Sequence, residues 1–316
     1  MIETNGLTKR YGALTALDDL TLSIGAGEVF GFIGPNGAGK TTTMKVLSCL
    51  LRADAGSASV CGLDVRTSGD EIRRLIGYMP DFLGLYDDLT VDEYLQFFAS
   101  AYRIPRARRR GVIEQAMELT DLRDKRDAMV DSLSRGMTQR LGVARVLIHD
   151  PKVLLLDEPA SGLDPRARIE MRSLLLELAR MGKTLMVSSH ILSELSEMCT
   201  MIGIIERGKL LYCGSIKDAY ARTRSLAGAE RVAVRLEAEG PGPAAVRTAL
   251  ETDARVVRVV ADEETRTLVV EIAAGVHGHH FLIEGLIKSG ARIASFQPED
   301  VNLEDAFLKL TTGAIQ

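Results

Sequence analysis

Short apolar runs separated by glycine turns open the chain. Leu20-Thr21-Leu22-Ser23-Ile24 alternates with the period of a half-buried strand, Gly25-Ala26-Gly27 turns, and Val29-Phe30-Gly31-Phe32-Ile33 predicts a second strand. Met44, Leu47 and Leu51 then recur at helical spacing, with Gly56 beyond the expected helix end. A strand pair is expected around residues 57–61 and 75–78. From Thr90 the period lengthens: Thr90 and Glu93 stand as a capping box, and Tyr94, Phe97, Phe98 and Ala101 mark the expected apolar stripe of a helix. This helical insertion, residues 85–145, continues through Pro105, the basic run 106–110, which reads as a solvated face, and the amphipathic stretch 112–119.

After Pro151, Val153-Leu154-Leu155-Leu156 is apolar without alternation, as in a strand covered on both faces of a parallel sheet. Asp164-Pro165 predicts an N-cap with proline at the first helical position, and Met171, Leu174, Leu175 and Leu178 give that helix a core face. A further buried strand at 184–187 and a closing hairpin, 201–206 with 209–212, complete the first domain, residues 1–224. Composition shifts near residues 223–230. The remainder, 225–316, reads strand, helix, strand, strand, helix, strand, the order of a small ferredoxin-like α+β domain. A last helix, 303–310, with Leu303, Ala306, Phe307 and Leu310 on one side, is expected to pack back on the body.

At 316 residues, with 39 Lys and Arg against 43 Asp and Glu and a net charge of −4, the chain lacks the basic surplus of a nucleic-acid binder, and none is expected as partner. Cys49, Cys61, Cys199 and Cys213 show no metal-ligand spacing and read as buried apolar residues of a reducing compartment. No stretch has the length and apolar character of a membrane span or signal peptide, so a membrane role requires a partner. His277, His279 and His280 sit near a helix start without a Cys or further His nearby to complete a metal site, and read as a loop cluster.

The chemistry concentrates after the second strand, where Gly34-Pro35-Asn36-Gly37-Ala38-Gly39-Lys40-Thr41-Thr42 fills every fixed position of a phosphate loop. The glycines let backbone N–H groups turn toward anionic oxygens. Lys40 supplies a point charge for the β- and γ-phosphates, the hydroxyl of Thr41 suits Mg²⁺, and the helix beginning there adds its positive end. Asp157, closing an apolar strand, suits Mg²⁺ through water, and Glu158 beside it can polarise a water for in-line attack, which suits hydrolysis. His190, at the end of the next strand, is placed to meet the γ-phosphate or that water.

Between these motifs lies Leu133-Ser134-Arg135-Gly136-Met137, and here the chain resembles the ATP-binding cassette (ABC) ATPases. Leu133-Ser134-x-Gly136 is similar to that family's signature. Tyr11 matches the adenine-stacking aromatic, Asp157-Glu158 the second nucleotide motif with its base, Ser161-Gly162-Leu163-Asp164 the loop that follows it, and His190 the switch histidine, in order over residues 1 to 220. The resemblance implies a P-loop cassette with a mixed sheet core and a helical subdomain. It also implies ATP and Mg²⁺ as cofactors, and a dimer, of this chain or with a similar ATPase chain, in which Ser134 and Gly136 of one copy cap the ATP of the other. The family resemblance extends to exporters whose ATPase carries a small extra domain and works on the cytoplasmic face of the membrane through a separate permease, docked through the Asp81 region and the helical insertion.

Three positions depart from the family pattern: Asp81 stands after Gly77-Tyr78-Met79-Pro80 where a glutamine is common, and Arg135 and Met137 replace signature residues. Asp81 remains a metal-ligand candidate with an extra negative charge, and Arg135 implies a position that needs no positive φ. Two other readings compete, a family member acting on DNA or the ribosome and a GTPase or small-molecule kinase. The chain shows no sustained heptads, no internal repeat and no Asn-Lys-x-Asp segment, which disfavours both.

Overall fold

The second strand is where the core begins. In the computed structural model, which describes residues 1–86, 88–219, 230–273, 275–276 and 278–299, β3 (Val29–Ile33) is buried along its whole length. It lies between two parallel neighbours, β8 (Thr184–Ser189) and β9 (Met201–Glu206). Outward from β8 come β7 (Val153–Leu156) and β6 (Ile76–Met79), both parallel, and outward from β9 comes the antiparallel β10 (Lys209–Ser215). The sheet order is β10-β9-β3-β8-β7-β6. β7 is buried at all four positions, as its unbroken Val-Leu-Leu-Leu requires.

A second, antiparallel sheet has the order β2-β1-β4-β5, with β1 (Ile2–Tyr11), β2 (Leu14–Ile24), β4 (Ala55–Val60) and β5 (Leu63–Asp64). Its inward residues Ile2, Leu7, Leu17, Leu20, Ile24 and Val60 share one core with Phe30, Phe32, Leu155 and Met186 of the first sheet. The expected pairing of residues 57–61 with 75–78 does not occur: β4 pairs with β1 and β5, whereas β6 pairs with β7. Helix α1 (Lys40–Leu47) begins at the phosphate loop and α2 (Gly69–Leu75) precedes β6.

The helical insertion holds α3 (Val91–Ala101), α4 (Arg106–Leu119) and α5 (Arg135–Leu147) around their own apolar cluster. Thr90 and Glu93 form the reciprocal capping box. The stripe on α3 is rotated from the expected one: Val91, Tyr94, Leu95 and Ala99 are buried, Ala101 is exposed, and Phe97 is 49% exposed. Phe97 instead packs edge-on against Phe98 and Tyr86 at the surface. Helix α6 (Pro165–Arg180) buries Met171, Leu174, Leu175 and Leu178, the four expected residues. Of the cysteines only Cys199 is buried; Cys213 is exposed and Cys49 and Cys61 are intermediate, because the latter two fall at turns and Cys213 on the edge strand β10.

The chain divides into two units, Met1–Ile216 and Lys217–Gln316. The boundary read near residue 225 falls, with the helix 303–310 and His277, outside the described residues. The second unit is a four-stranded antiparallel sheet of order β12-β13-β11-β14, formed by β11 (Glu230–Leu236), β12 (Val256–Asp262), β13 (Thr267–Ile272) and β14 (Ile293–Glu299). Helices Pro243–Leu250 and His280–Lys288 pack on one face, where Val246, Leu250, Leu282 and Leu286 meet Val232, Val234, Leu268 and Val270. This is the split βαβ arrangement of ferredoxin-like domains. His280 is ion-paired with Glu284 at 3.2 Å, and His279 lies edge-on to Phe296.

Truncating Leu178, fully buried on α6, to Ala is expected to cost about 2–5 kcal/mol through lost transfer energy and a residual cavity. Urea unfolding of the variant measures it.

Candidate nucleotide site

The loop 34–39 is held in shape by the chain's own hydrogen bonds. The N–H of Gly34 donates to Ser189 O (3.3 Å), that of Ala38 to Pro35 O (3.1 Å), and that of Gly208 to Ala38 O (2.8 Å), so β8 and the β9–β10 turn both anchor it. Two glycines are obligatory. A Cβ on Gly34 would run into the carbonyl oxygen of Ile205, and Gly39, the N-cap of α1, has φ 115° with Ala16 O 2.7 Å from any added Cβ.

Lys40 is buried, and its ammonium donates to Gly34 O (2.5 Å) and Pro35 O (3.3 Å). The same Nζ lies 3.2 Å from Oε1 of Glu158, whose Oε2 is 2.8 Å from Nδ1 of His190. Three expected residues, following β3, β7 and β8 in the chain, are thus joined through Glu158. Glu158 itself has φ 50°, a left-handed conformation that costs a non-glycine residue about 1–3 kcal/mol and marks a functional constraint.

Asp157 is buried at the end of β7. Its Oδ1 accepts from Ser188 Oγ at 2.6 Å, and Ser188 Oγ accepts from the N–H of Glu158 at 2.9 Å. Oδ2 of Asp157 is buried with no hydrogen-bond partner. An orphaned carboxylate oxygen carries a desolvation cost unless a cation or water meets it, so the donor set fits a hard divalent ion. Among the described residues no group of three or more His, Cys, Asp and Glu side chains clusters tightly enough to hold an ion unaided. An ion bound there would need phosphate oxygens and water to complete its coordination. Thr41 is exposed in the first turn of α1.

Asp81 follows β6, and its carboxyl is pushed above the ordinary aspartate range first by partial desolvation and then by the negative charges of Asp157 and Glu158; Arg135 and His190 oppose the shift. Asp81 therefore shares the field of the two strand-end carboxylates. Tyr78 beside it is shifted upward by burial and by Asp157.

The remaining expected residues stand elsewhere on the unit. Tyr11, at the end of β1, is 46% exposed with Lys9 Nζ 5.6 Å from its ring centre. Ser134 caps α5, accepting from Met137 N at 3.4 Å, so Ser134 and Gly136 stand at a helix N-terminus with its positive dipole end. Arg135 occupies the first helical position without positive φ, as its identity implied. Its guanidinium lies against Gly162, φ 66°, in the loop after Glu158. Asp164 is engaged as the N-cap of α6, accepting from Ala167 N at 2.9 Å. Sequence reasoning passed over Ser188 and Ser189. Ser188 ties the two carboxylate residues together, and Ser189 Oγ donates to Glu194 Oε2 at 2.9 Å and accepts from Ile191 N at 3.0 Å, bracing the turn that carries His190. The only signal is the Ser-Ser pair before that histidine.

The family model "ABC transporter" matches residues 17–161. The chain is 34% identical, over all of its length and 98% of the relative's, to "Nod factor export ATP-binding protein I" of Burkholderia orbicola (strain AU 1054). The chain belongs to the ABC transporter family. Another relative of this cassette, 36% identical over 98% of the chain and 96% of the relative, is the ABC transporter ATP-binding protein YhcH of Bacillus subtilis (strain 168). Among solved structures, an ATP-binding subunit of an ABC transporter superposes with TM-score 0.64 and 28% identity over 70% of this chain and 92% of that one. A dimeric cassette in a post-hydrolysis state bound to ADP and Pi does so with TM-score 0.62 and 25% identity over 68% and 99%. The cassette is accordingly an ATPase of this family, and cassettes of the family work as dimers with membrane permease subunits.

Replacing Ser188 by Ala leaves Asp157 Oδ1 and the Glu158 N–H short of a partner, with an expected loss of about 1–3 kcal/mol in denaturant unfolding. Asp81 gives a pH-dependent outcome. Because its folded-state pKa is raised, the folded protein is favoured while Asp81 is protonated, and that advantage is lost as pH rises through the folded pKa. Asp81→Asn is expected to raise the melting temperature at pH 7 and to leave it unchanged below the ordinary aspartate pKa, as read by thermal unfolding at the two pH values.

Proposed function

We propose that this cassette hydrolyses ATP to power export by a separately encoded membrane permease, acting on the cytoplasmic face of the membrane. The observation that carries the reading is the line Lys40, Glu158, His190 at the mouth of a preformed phosphate loop. At 3.2 Å the ammonium of Lys40 neutralises Glu158. When phosphates occupy the loop, Lys40 turns to their oxygens, and the Glu158 carboxylate is left free to accept a proton from the attacking water while His190 fixes its orientation. The base is thereby uncovered only when there is a substrate to cleave.

Thr41, Asp157 and Asp81 would hold Mg²⁺, which would supply charge neutralisation on the β- and γ-phosphates. The amides of residues 34–42 cradle the phosphates and Tyr11 stacks on the adenine. Ser134 and Gly136, at the N-terminus of α5, complete the site of a second copy or of a similar ATPase chain, with Asp164 in the facing loop. No single chain then holds a whole active site, which makes ATP the bridge between two copies and its hydrolysis their release.

Among the described residues no helix is long and apolar enough to cross a membrane, which supports a separate membrane subunit. Docking is assigned to the segment after β6 together with the helical insertion, where Phe82 is 85% exposed and Tyr86 and Phe97 pack edge-on at the surface. Relatives named for Nod factor export match over nearly their whole length, which supports export over uptake. The transported compound is selected by the permease.

Glu158→Gln is expected to keep ATP affinity, to slow hydrolysis by about two to four orders of magnitude, and to accumulate an ATP-bound dimer. Turnover near the wild-type rate would remove Glu158 as base. Lys40→Ala is expected to weaken ATP binding, measured by calorimetry. Purification of the tagged protein from solubilised membranes tests the partner: a co-purifying integral membrane protein is the expected result, and ribosomes or DNA in its place would transfer the ATPase to another machine.

A further inference from the structure

The sheet of the second unit has two faces, and the helices cover one. On the other face the ladder registers set three rows across the strands in the order β12, β13, β11, β14. The middle row is Val260, Val269, Ala233, Gln297, and Val260 is 47% exposed. One flanking row is Arg258, Glu271, Arg231, Glu299; the other is Asp262, Thr267, Arg235, Ser295. The first flanking row alternates in sign from Arg258 through Glu271 to Arg231, and Arg231 is paired with Glu271 at 2.6 Å while remaining largely exposed. A small apolar strip between two polar rows is not the pattern of a face built only to meet water, which gains nothing from Val260 and Val269.

We propose that this face packs against the same face of a second copy of the chain, about a two-fold axis parallel to the strands between β13 and β11. Such an axis reverses the strand order while keeping position along the strands. Glu271 of one copy then faces Arg231 of the other, twice. The neighbouring Glu271 and Arg231 are self-complementary under this reversal. Val269 meets Ala233 at the centre, and the strands of the two sheets run aligned, as in sheet-on-sheet packing at about 10 Å. The alternative axis, across the strands, would set Arg231 against Arg235 and is disfavoured by that repulsion. The isologous arrangement is the one that closes a dimer.

Four strands about 4.8 Å apart with about six residues each at about 3.4 Å present about 400 Å² per copy, or about 800 Å² in the pair. That is below a standard stable interface, so the contact is weak by itself. Its effect grows when the cassettes are tethered: a second contact between copies already joined acts at high effective concentration. The accessory unit therefore keeps two cassettes near each other through the nucleotide-free part of the cycle. This contact needs no ATP and is independent of the catalytic reading.

The test is sedimentation velocity on the full chain without nucleotide, from about 1 μM to about 1 mM, the range a small interface spans. The expected result is reversible dimerisation that weakens as salt is raised, because charge pairs at a wet rim are screened. Val269→Glu and Arg231→Glu should each lower the association constant about tenfold or more. The swap Arg231→Glu with Glu271→Arg should restore it to within about threefold, since both the pair within a copy and the pairs between copies regain opposite signs. Retained thermal unfolding and ATP binding by the variants show that the chain is folded. A monomer at every concentration would overturn the proposal, as would association indifferent to both single changes. So would a monomeric full chain that dimerises only when cut after Glu299, because its own tail would then be the occupant. The Glu158→Gln dimer formed with ATP is scored separately, so failure here leaves the catalytic reading standing.

Discussion

A buried ammonium among carbonyl oxygens, facing a buried carboxylate, is the interaction around which the first unit is organised. Lys40 and Glu158 are both nearly enclosed, and each would be costly to bury alone. Their pairing is possible because β3 and β7, with β8 between them, end at the same edge of one parallel sheet. Ligand sites in such sheets gather outside the carboxyl ends of the strands, and here that edge carries the loop after β3, the acidic pair after β7 and the histidine after β8. The pair is also poised to break. A lysine held by two backbone carbonyls and a carboxylate has stronger partners in phosphate oxygens, and Glu158 sits in a left-handed conformation that its surroundings impose.

Much of that arrangement was legible in the residues. The phosphate loop, the unbroken β7, the capping box of α3 and the core face of α6 are local patterns, each fixed by residues within one turn or one strand. What local pattern could not supply is pairing at a distance. Residues 57–61 and 75–78 both read as strands, and both are, but nothing in either says that they belong to different sheets. β1 escaped notice because its register slips three times against β2, and Gly6, at φ 59°, breaks its alternation. On α3 the expected stripe is rotated by part of a turn from the buried one, since a run of aromatics at 94, 97 and 98 outweighs the smaller Val91 and Ala99 that the neighbouring helices select. Ser188 was invisible for a different reason. Its role depends on two oxygens and an amide brought together from a neighbouring strand, and a serine in a buried strand carries no mark of that.

The departures from the family pattern bear on one region. Arg135 takes an ordinary helical conformation at the start of α5, so the loss of a glycine there costs no backbone strain. Its side chain, however, needs room, and it finds it over Gly162, where positive φ and the absence of a Cβ leave a flat backbone surface. A larger residue at 162 would meet both the strained conformation and the guanidinium. Substituting the signature position thus transfers a steric demand to the loop after Glu158. It also places a positive charge in the field of Asp81, the second departure, whose own carboxyl is burdened by Asp157 and Glu158. An added anion and an added cation in one site partly offset each other, so neither departure disables a site whose lysine, acidic pair and histidine are intact.

The two units use their charges differently. At the nucleotide site of the first unit the charges are buried, and Lys40, Asp157 and Glu158 are held by partners from neighbouring strands and loops, because the low dielectric there makes an unmatched charge expensive. In the second, the charges line an open sheet face in alternating order, where water lowers the strength of each pair and order along the row carries the information. A buried pair can serve as a switch because a competing anion changes its balance by a large amount. An exposed alternating row serves recognition instead, since a single pair there is weak and only the pattern as a whole distinguishes one partner orientation from another.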